Sequence, residues 1–517
     1  MTDINDMARV SAHEQSPESP SRRAFWRGSS LAAAVTASVA APTMAKAATT
    51  DTQIDDVLHV IQRLTMGATT ALYDEVSSMG VDAFIEQQLD PASIDDSETD
   101  AMISQFKSAG LSTAEVMQSM KRAPIRNELN GKTVIRAVYS RRQLQEVMTD
   151  FWSNHFNVDT YKKNVATFKV EEDRGIRELA LTNFHDLLMY SAKSPAMLEY
   201  LDNRRSRANR DRVPNENYAR ELMELHTLGV DGGYSEDDVS AVSYLLSGWS
   251  INGAEFAFRA NWNRLGPLND GADIMGWAPF SPEGSVENGE SFITFLAYQA
   301  ATAHFICWKL CRYFIRDDIE QSDPLVAQIA QVFSDNDTEM KPTLRAIFAS
   351  DDFKASKGLK VKRSNELLYA TLRASGASID LSQSGRFGNH MRNRLEKMDH
   401  GIFACEPPTG YPDDASVFIN TNTMVNRWNI GFAVAGNRLS KFVRVNTANW
   451  IDSPSDIRTL VEQLCASLLL RQLEDSEKQA LYDQLGKAPE DVVKRRDLRQ
   501  VKILAGLIFA SASFQIR

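Results

Sequence analysis

The stretch P-N-E-N-Y-A-R-E-L-M-E-L-H-T-L-G-V-D-G-G-Y-S-E-D-D-V-S-A-V-S-Y-L-L-S-G-W, Pro214 to Trp249, reads as a helix, a glycine turn and a second helix. Pro214 suits the start of a helix, where its fixed φ helps and its missing N–H costs nothing. The spacing predicts a helix from about Asn215 to Leu228, with Gly229 just past its end, where φ > 0 is favoured. After V-D-G-G-Y, Ser235 has the chemistry of an N-cap and Asp238 stands where a capping-box acid would. The second helix ends near Gly248.

At about 100° per residue, Glu216, Arg220, Asn217, Glu224 and Glu221 fall within one arc of roughly 140°. Tyr218, Leu222 and Leu225 take the next arc, with Ala219 and Met223 beyond, and His226 lies between those apolar groups. The polar arc has two readings. One is a solvated Glu216–Arg220–Glu224 ladder at i,i+4 spacing. The other is a carboxylate, guanidinium and amide cluster facing a cleft. Asn215 and Asn217 are poor helix formers away from a cap, which favours the second.

Working outward, further segments stand out in order: R-L-T-M-G-A-T (Arg63 to Thr69), F-W-S-N-H-F-N-V (Phe151 to Val158) and P-A-M-L-E-Y-L-D-N (Pro195 to Asn203). After the hairpin come A-T-A-H-F-I-C-W-K-L (Ala301 to Leu310), P-P-T-G-Y-P-D (Pro407 to Asp413) and I-N-T-N-T-M (Ile419 to Met424). With these segments the chain resembles the exported bacterial family known as domain of unknown function 1800, over nearly the whole mature length. The resemblance implies an exported protein of no settled activity. It also implies a co-exported partner, because relatives are often encoded beside an exported family resembling phosphatases and sulfatases. The chain departs from many relatives in one place. Where they carry His-Asp-x-Gly, it has only Asn269-Asp270-Gly271.

With 517 residues, 43% of them hydrophobic, the chain can bury a large core in one domain or two lobes. A net charge of −11 argues against nucleic acid as a partner. Residues 1–47 read as a twin-arginine signal peptide: Ser21-Arg22-Arg23-Ala24-Phe25, the weakly apolar run Leu31 to Pro42, and the small-x-small site Ala45-Lys46-Ala47. That run is too short to span a membrane, which takes about 20 apolar residues. Removing the segment takes away five basic and four acidic residues and leaves the mature chain near −12, expected in the periplasm or secreted. Cys307, Cys311, Cys405 and Cys465 are expected as buried free thiols, with a Cys405–Cys465 disulfide as the alternative.

The rest of the pattern is helical, so the expected fold is mainly α, with few or no strands. The N-terminal helical segment and acidic connector fill residues 48–100, a central region with the hairpin fills 101–380, and a C-terminal lobe with a Pro-rich loop fills 381–517. Ile251 to about Asn288 loses periodicity and gains Gly, Pro and Trp, as an ordered lid would. Phe292 to Ile315 reads as one long helix. The run of five arginines between Arg204 and Arg212 joins Asp202 and Asn203 to the hairpin.

Serine-elbow, zinc-helix, Walker, dinucleotide and c-type haem motifs are all missing from the sequence. The candidate catalytic groups are therefore Glu216, Arg220, Glu221, Asp202 and His155, the last a possible general base or ligand. Asn203, Asn217, Glu224, Tyr411 and Asp413 are the candidate ligand-binding groups. Such a set could hold a hard cation through oxygens or do acid–base work with two carboxylates. Metal, cofactor and oligomeric state stay open at this level. Two functions remain: a hydrolase or lyase on an envelope polymer, and a non-catalytic binding or assembly protein.

Overall fold

A computed structural model describes residues 54–209, 212–281 and 284–517. The twin-arginine segment, and Arg210 and Asp211 of the arginine run, lie outside the described residues. Helices hold most of what is described. Among the described residues the strands form only two short antiparallel pairs. The chain is mainly α, and no described helix is long and apolar enough to cross a membrane.

One contiguous apolar cluster runs from Val60 to Phe514 and draws on the N-terminal, central and C-terminal regions alike. Its centre includes the helices Gln143–His155 and Ala300–Phe314. The second of these ends on carbonyls that have no helical partner. Arg63, fully buried, donates to Phe314 O at 3.1 Å and Ile315 O at 3.0 Å, so a cation caps the negative end of the helix. That is the role of the R-L-T-M-G-A-T segment, whose Thr69 caps the next helix by accepting from Leu72 N.

The helix Arg122–Tyr139 packs along Ser384–Glu396, and the crossing depends on glycine. A Cβ placed on Gly388 would lie 1.8 Å from the backbone oxygen of Asn127. Gly388→Ala must push the helices apart and is expected to destabilise by about 1–3 kcal/mol, read as a lower denaturant midpoint with unchanged slope. A midpoint equal to wild type would show that the crossing is looser than this.

The expected single helix from Phe292 to Ile315 is two, Val286–Ala297 and Ala300–Phe314. The break at Tyr298 is stabilised by Thr302, whose hydroxyl donates to Leu296 O at 2.7 Å. The irregular segment opens on a hairpin, Trp249–Asn252 with Glu255–Phe258. It is tied down by its aromatics: Arg207 and Arg259 stack on Trp262, at 4.8 and 4.9 Å from the ring, and Trp277 packs edge-on against Phe292. One residue of the arginine run thus fastens this segment. All four cysteines are buried and free.

Candidate functional site

The hairpin keeps its glycine turn but not its regular first helix. An α-helix covers only Asn217–Glu221, and Leu222–Thr227 continue as a π-helix. Asn215 Oδ1 accepts from Asn217 N at 2.9 Å, which holds the first residues outside the helix. The wide turn closes through Leu228 N to Met223 O at 2.9 Å and Thr227 Oγ1 to Leu222 O at 2.7 Å. Gly229 then sits at φ 83°, and Ser235 and Asp238 form the reciprocal capping box.

The polar arc is mostly a solvated seam. Arg220 grips Glu236 with two bonds of 2.9 and 2.7 Å and lies 3.7 Å from Glu216, all on the surface. Such pairs are weak and screened by salt. Glu221 is half-buried, and its pKa is raised by burial and then by Glu224. Asp202, at φ 64°, lies between Lys163 and Lys162, the latter at 3.0 Å. Burial would raise its pKa, but hydrogen bonds from these lysines outweigh it and hold the carboxyl low. The amides are spent on backbone: Asn203 Nδ2 donates to Leu246 O and Trp249 O at 3.2 Å, and Asn217 Nδ2 to Leu201 O at 3.3 Å. These residues tie the hairpin to its neighbours rather than converge on one point.

His155 is buried where three of the quoted segments meet. Its Nε2–H donates to His226 O at 3.1 Å, and its Nδ1 accepts from Lys309 Nζ at 2.9 Å. That assignment follows from the partners, a carbonyl and an ammonium. Burial, then Lys309, pushes the His155 pKa well below the ordinary imidazole value. Burial likewise brings the Lys309 pKa down to about 8. With both nitrogens engaged, His155 is neutral and held, and no ring nitrogen is free to take a substrate proton.

The other side of the same helix is more open. Glu146, Thr149, Asp150, Ser153 and Asn154 of Gln143–His155 line a half-open cavity, with Asp173 and Arg177, Arg363 and Asn365, and His400 to Phe403 with Tyr411 as its other walls. Arg363 pairs with Asp150 and donates to Tyr313 Oη at 2.9 Å, while Asn365 Nδ2 donates to Asp150 Oδ1 at 3.1 Å. Burial raises the Asp150 pKa against the opposing pull of Arg363. His400, stacked on Tyr411 at 4.3 Å, has its pKa lowered to about 3, first by burial and then by Arg363. Two buried atoms here have no partner: Ser153 Oγ and His400 Nδ1. Orphan polar atoms beside a cavity mark a place for waters or a ligand.

The F-W-S-N-H-F-N-V and P-P-T-G-Y-P-D segments build this wall together. Asn154 Nδ2 donates to Tyr411 O at 2.8 Å, Tyr411 N returns to Asn154 Oδ1 at 2.7 Å, and Asn157 Nδ2 donates to Cys405 O at 3.0 Å and Pro407 O at 2.7 Å. Gly410, at φ 71°, lets the loop come this close. Tyr411 is thus at the cavity, as the sequence indicates. Asp413 stands behind it, 4.0 Å from Arg363. Sequence reasoning missed His400 and Asp150, which belong to none of the quoted segments. The signal available was the pair of asparagines flanking His155.

The cavity's free volume is about 40 Å³, enough for about three waters. Among the described residues, no group of three or more His, Cys, Asp or Glu side chains is placed to hold a metal ion. A family model described as a protein of unknown function, DUF1800, matches residues 59–516. Curated proteins and solved structures gave no match. Matched over nearly its whole described length, the chain belongs to the DUF1800 family.

Proposed function

We propose that the protein is exported by the twin-arginine route and works in the periplasm or outside the cell as a hydrolase or lyase. On this reading Asp150 is the acid and His400 the neutral group that positions the substrate beside it. The carrying observation is a mostly buried carboxyl of raised pKa in a half-open cavity beside an unpartnered imidazole nitrogen. A raised pKa favours the acid form of Asp150, which can give a proton, and the neutral, unpartnered His400 nitrogen beside it can accept a hydrogen bond from a substrate. The place of chemistry moves from the hairpin carboxylates to this cavity, with Arg363 and Asn365 orienting the Asp150 carboxylate. The export proposal rests on residues 21–47 of the sequence. Four buried free thiols suit a chain that folds before meeting an oxidising compartment.

The cavity's size favours a second reading, a binding or assembly protein that acts with a co-exported partner. About 40 Å³ admits a small polar group but not a polymer chain. One experiment separates the two. Envelope fractions are incubated with mature protein and released products are followed by mass spectrometry. Wild type is expected to release product, Asp150→Asn to release it about 100-fold more slowly or worse, and His400→Gln likewise, with unchanged circular dichroism. Equal rates in the Asp150→Asn protein would take the cavity out of the chemistry. No product from any fraction would leave the binding reading.

A further inference from the structure

A second concavity, of about 250 Å³, lies on the far side of the Glu146–Arg177–Asp173 ion-pair wall. We propose that it binds a phosphate-type oxyanion, held by Lys132 and Arg136. These two residues stand one turn apart on Arg122–Tyr139 and both line the cleft. Lys132 is 7% exposed, yet its ammonium has no hydrogen bond or ion pair among the described residues. Arg136 likewise has neither, and its Nε is buried without a partner.

Two like charges one turn apart repel, and a purely structural pair would be expected to carry acids between them. The buried acids nearby already have partners, Glu128 accepting from Lys107 N at 3.2 Å and Ser108 N at 2.6 Å. Arg177 Nε takes Glu146 at 3.0 Å and its Nη1 takes Asp173 at 2.9 Å. Asp96 accepts from Ser140 Oγ at 2.7 Å, Thr99 Oγ1 at 2.9 Å and Arg141 N at 2.9 Å. Asp100 and Glu178 sit exposed at the rim. Of the other cations, Arg142 is turned to Ile94 O and Arg174 to Glu171 and Leu111 O. What remains is the full donor set of an ammonium and a guanidinium beside acceptors already spent. The complementary ligand brings several acceptor oxygens and negative charge, which a phosphate group does better than a carboxylate. The Lys132 pKa, brought down to about 8 by burial, is what an ammonium kept for a ligand would show in its absence. The site is independent of the chemistry proposed for the cavity, and neither residue belongs to the shared wall.

The test is calorimetric titration of the mature protein with inorganic phosphate, with acetate in a parallel arm. Phosphate is expected to bind, acetate to bind more weakly, and Lys132→Met and Arg136→Gln each to weaken phosphate by about tenfold or more. Lys132→Met should also melt at or above the wild-type temperature, because an unpartnered buried ammonium becomes an apolar chain of similar length. A merely structural lysine would give the opposite shift. No phosphate binding, acetate binding as tight as phosphate, or equal phosphate affinity in both variants overturns the proposal. So does sedimentation with phosphatidylglycerol vesicles that phosphate fails to compete, since that assigns the donors to a lipid headgroup.

Discussion

Deleting residues 513–517 is expected to leave no cooperatively folded protein. The C-terminal residues run through the interior and act as acceptors for cations that have little access to water. Lys362 Nζ donates to Phe514 O at 2.6 Å and Ile516 O at 2.5 Å, and Arg471 to Ser513 O at 2.6 Å. Arg427, fully buried, donates from Nε to Gln515 Oε1 at 2.8 Å. Arg517 pairs with Glu366 at 3.2 Å. Burial would raise the Glu366 pKa, but Arg517 and Arg363 outweigh it and hold the carboxyl at about 2.

Removing one member of a buried charged pair costs about 3–5 kcal/mol, because the partner stays buried. That loss, added to the bonds removed from Lys362, Arg471 and Arg427, is comparable to the roughly 5–15 kcal/mol that holds a typical domain together. The milder Gln515→Ala takes a partner from Arg427 Nε and from Phe509 O and should cost about 1–3 kcal/mol. Circular dichroism and thermal melts of the two proteins decide it. A truncated chain that melts cooperatively within a few degrees of wild type would mean that the tail covers these cations without stabilising them.

The same interior shows what the sequence could and could not reveal. Caps and turns are legible, because they are local: Gly229 beyond the first hairpin helix and the Ser235–Asp238 box both follow from neighbouring residues. The helical class was legible from apolar spacing. The π-turn over Leu222–Thr227 was not. It leaves the apolar spacing almost untouched and is closed by one hydroxyl, that of Thr227. The cavity was half legible. The two segments that wall it, around Asn154 and Tyr411, stand out in the sequence, but nothing there says that they face each other. Asp150, Arg363 and His400 are brought together only by tertiary packing, and no spacing rule links residues so far apart. Nothing in the sequence singles out Lys132 and Arg136, since periodicity cannot tell a solvated charge from one lining a cleft.

Lowering the pH from neutral is expected to unfold the protein well before its carboxylates titrate, and four histidines set this. His59, His155, His226 and His400 are all buried. Burial, the largest cause in each, lowers His59, His226 and His400 from 6.5 to about 3 and puts His155 well below the ordinary value. The geometry explains why. His59 Nδ1, His226 Nε2 and His400 Nδ1 have no partner, and His155 Nδ1 already faces the Lys309 ammonium, so an added proton meets no acceptor.

Unfolded, each ring takes a proton near pH 6.5; folded, His59, His226 and His400 do not until about pH 3, and His155 stays neutral well below the ordinary value. Over that interval the unfolded chain binds more protons, so stability is full above the unfolded pKa and is lost as pH falls. Each histidine contributes up to about 1.4 kcal/mol per pH unit, hence roughly 5 for the four once all titrate. The buried lysines extend the trend upward. Burial brings Lys132, Lys309 and Lys360 to about 8 and Lys362 to about 7, so in the unfolded chain these lysines hold protons that the folded ones have shed. Stability should go on rising through mildly alkaline pH. Urea midpoints from about pH 4 to pH 9 test the slope, and His226→Gln should make its acid limb shallower by about one proton. A flat profile between about pH 6 and pH 4 would mean that these rings gain a proton without unfolding, and that water or an acceptor reaches them.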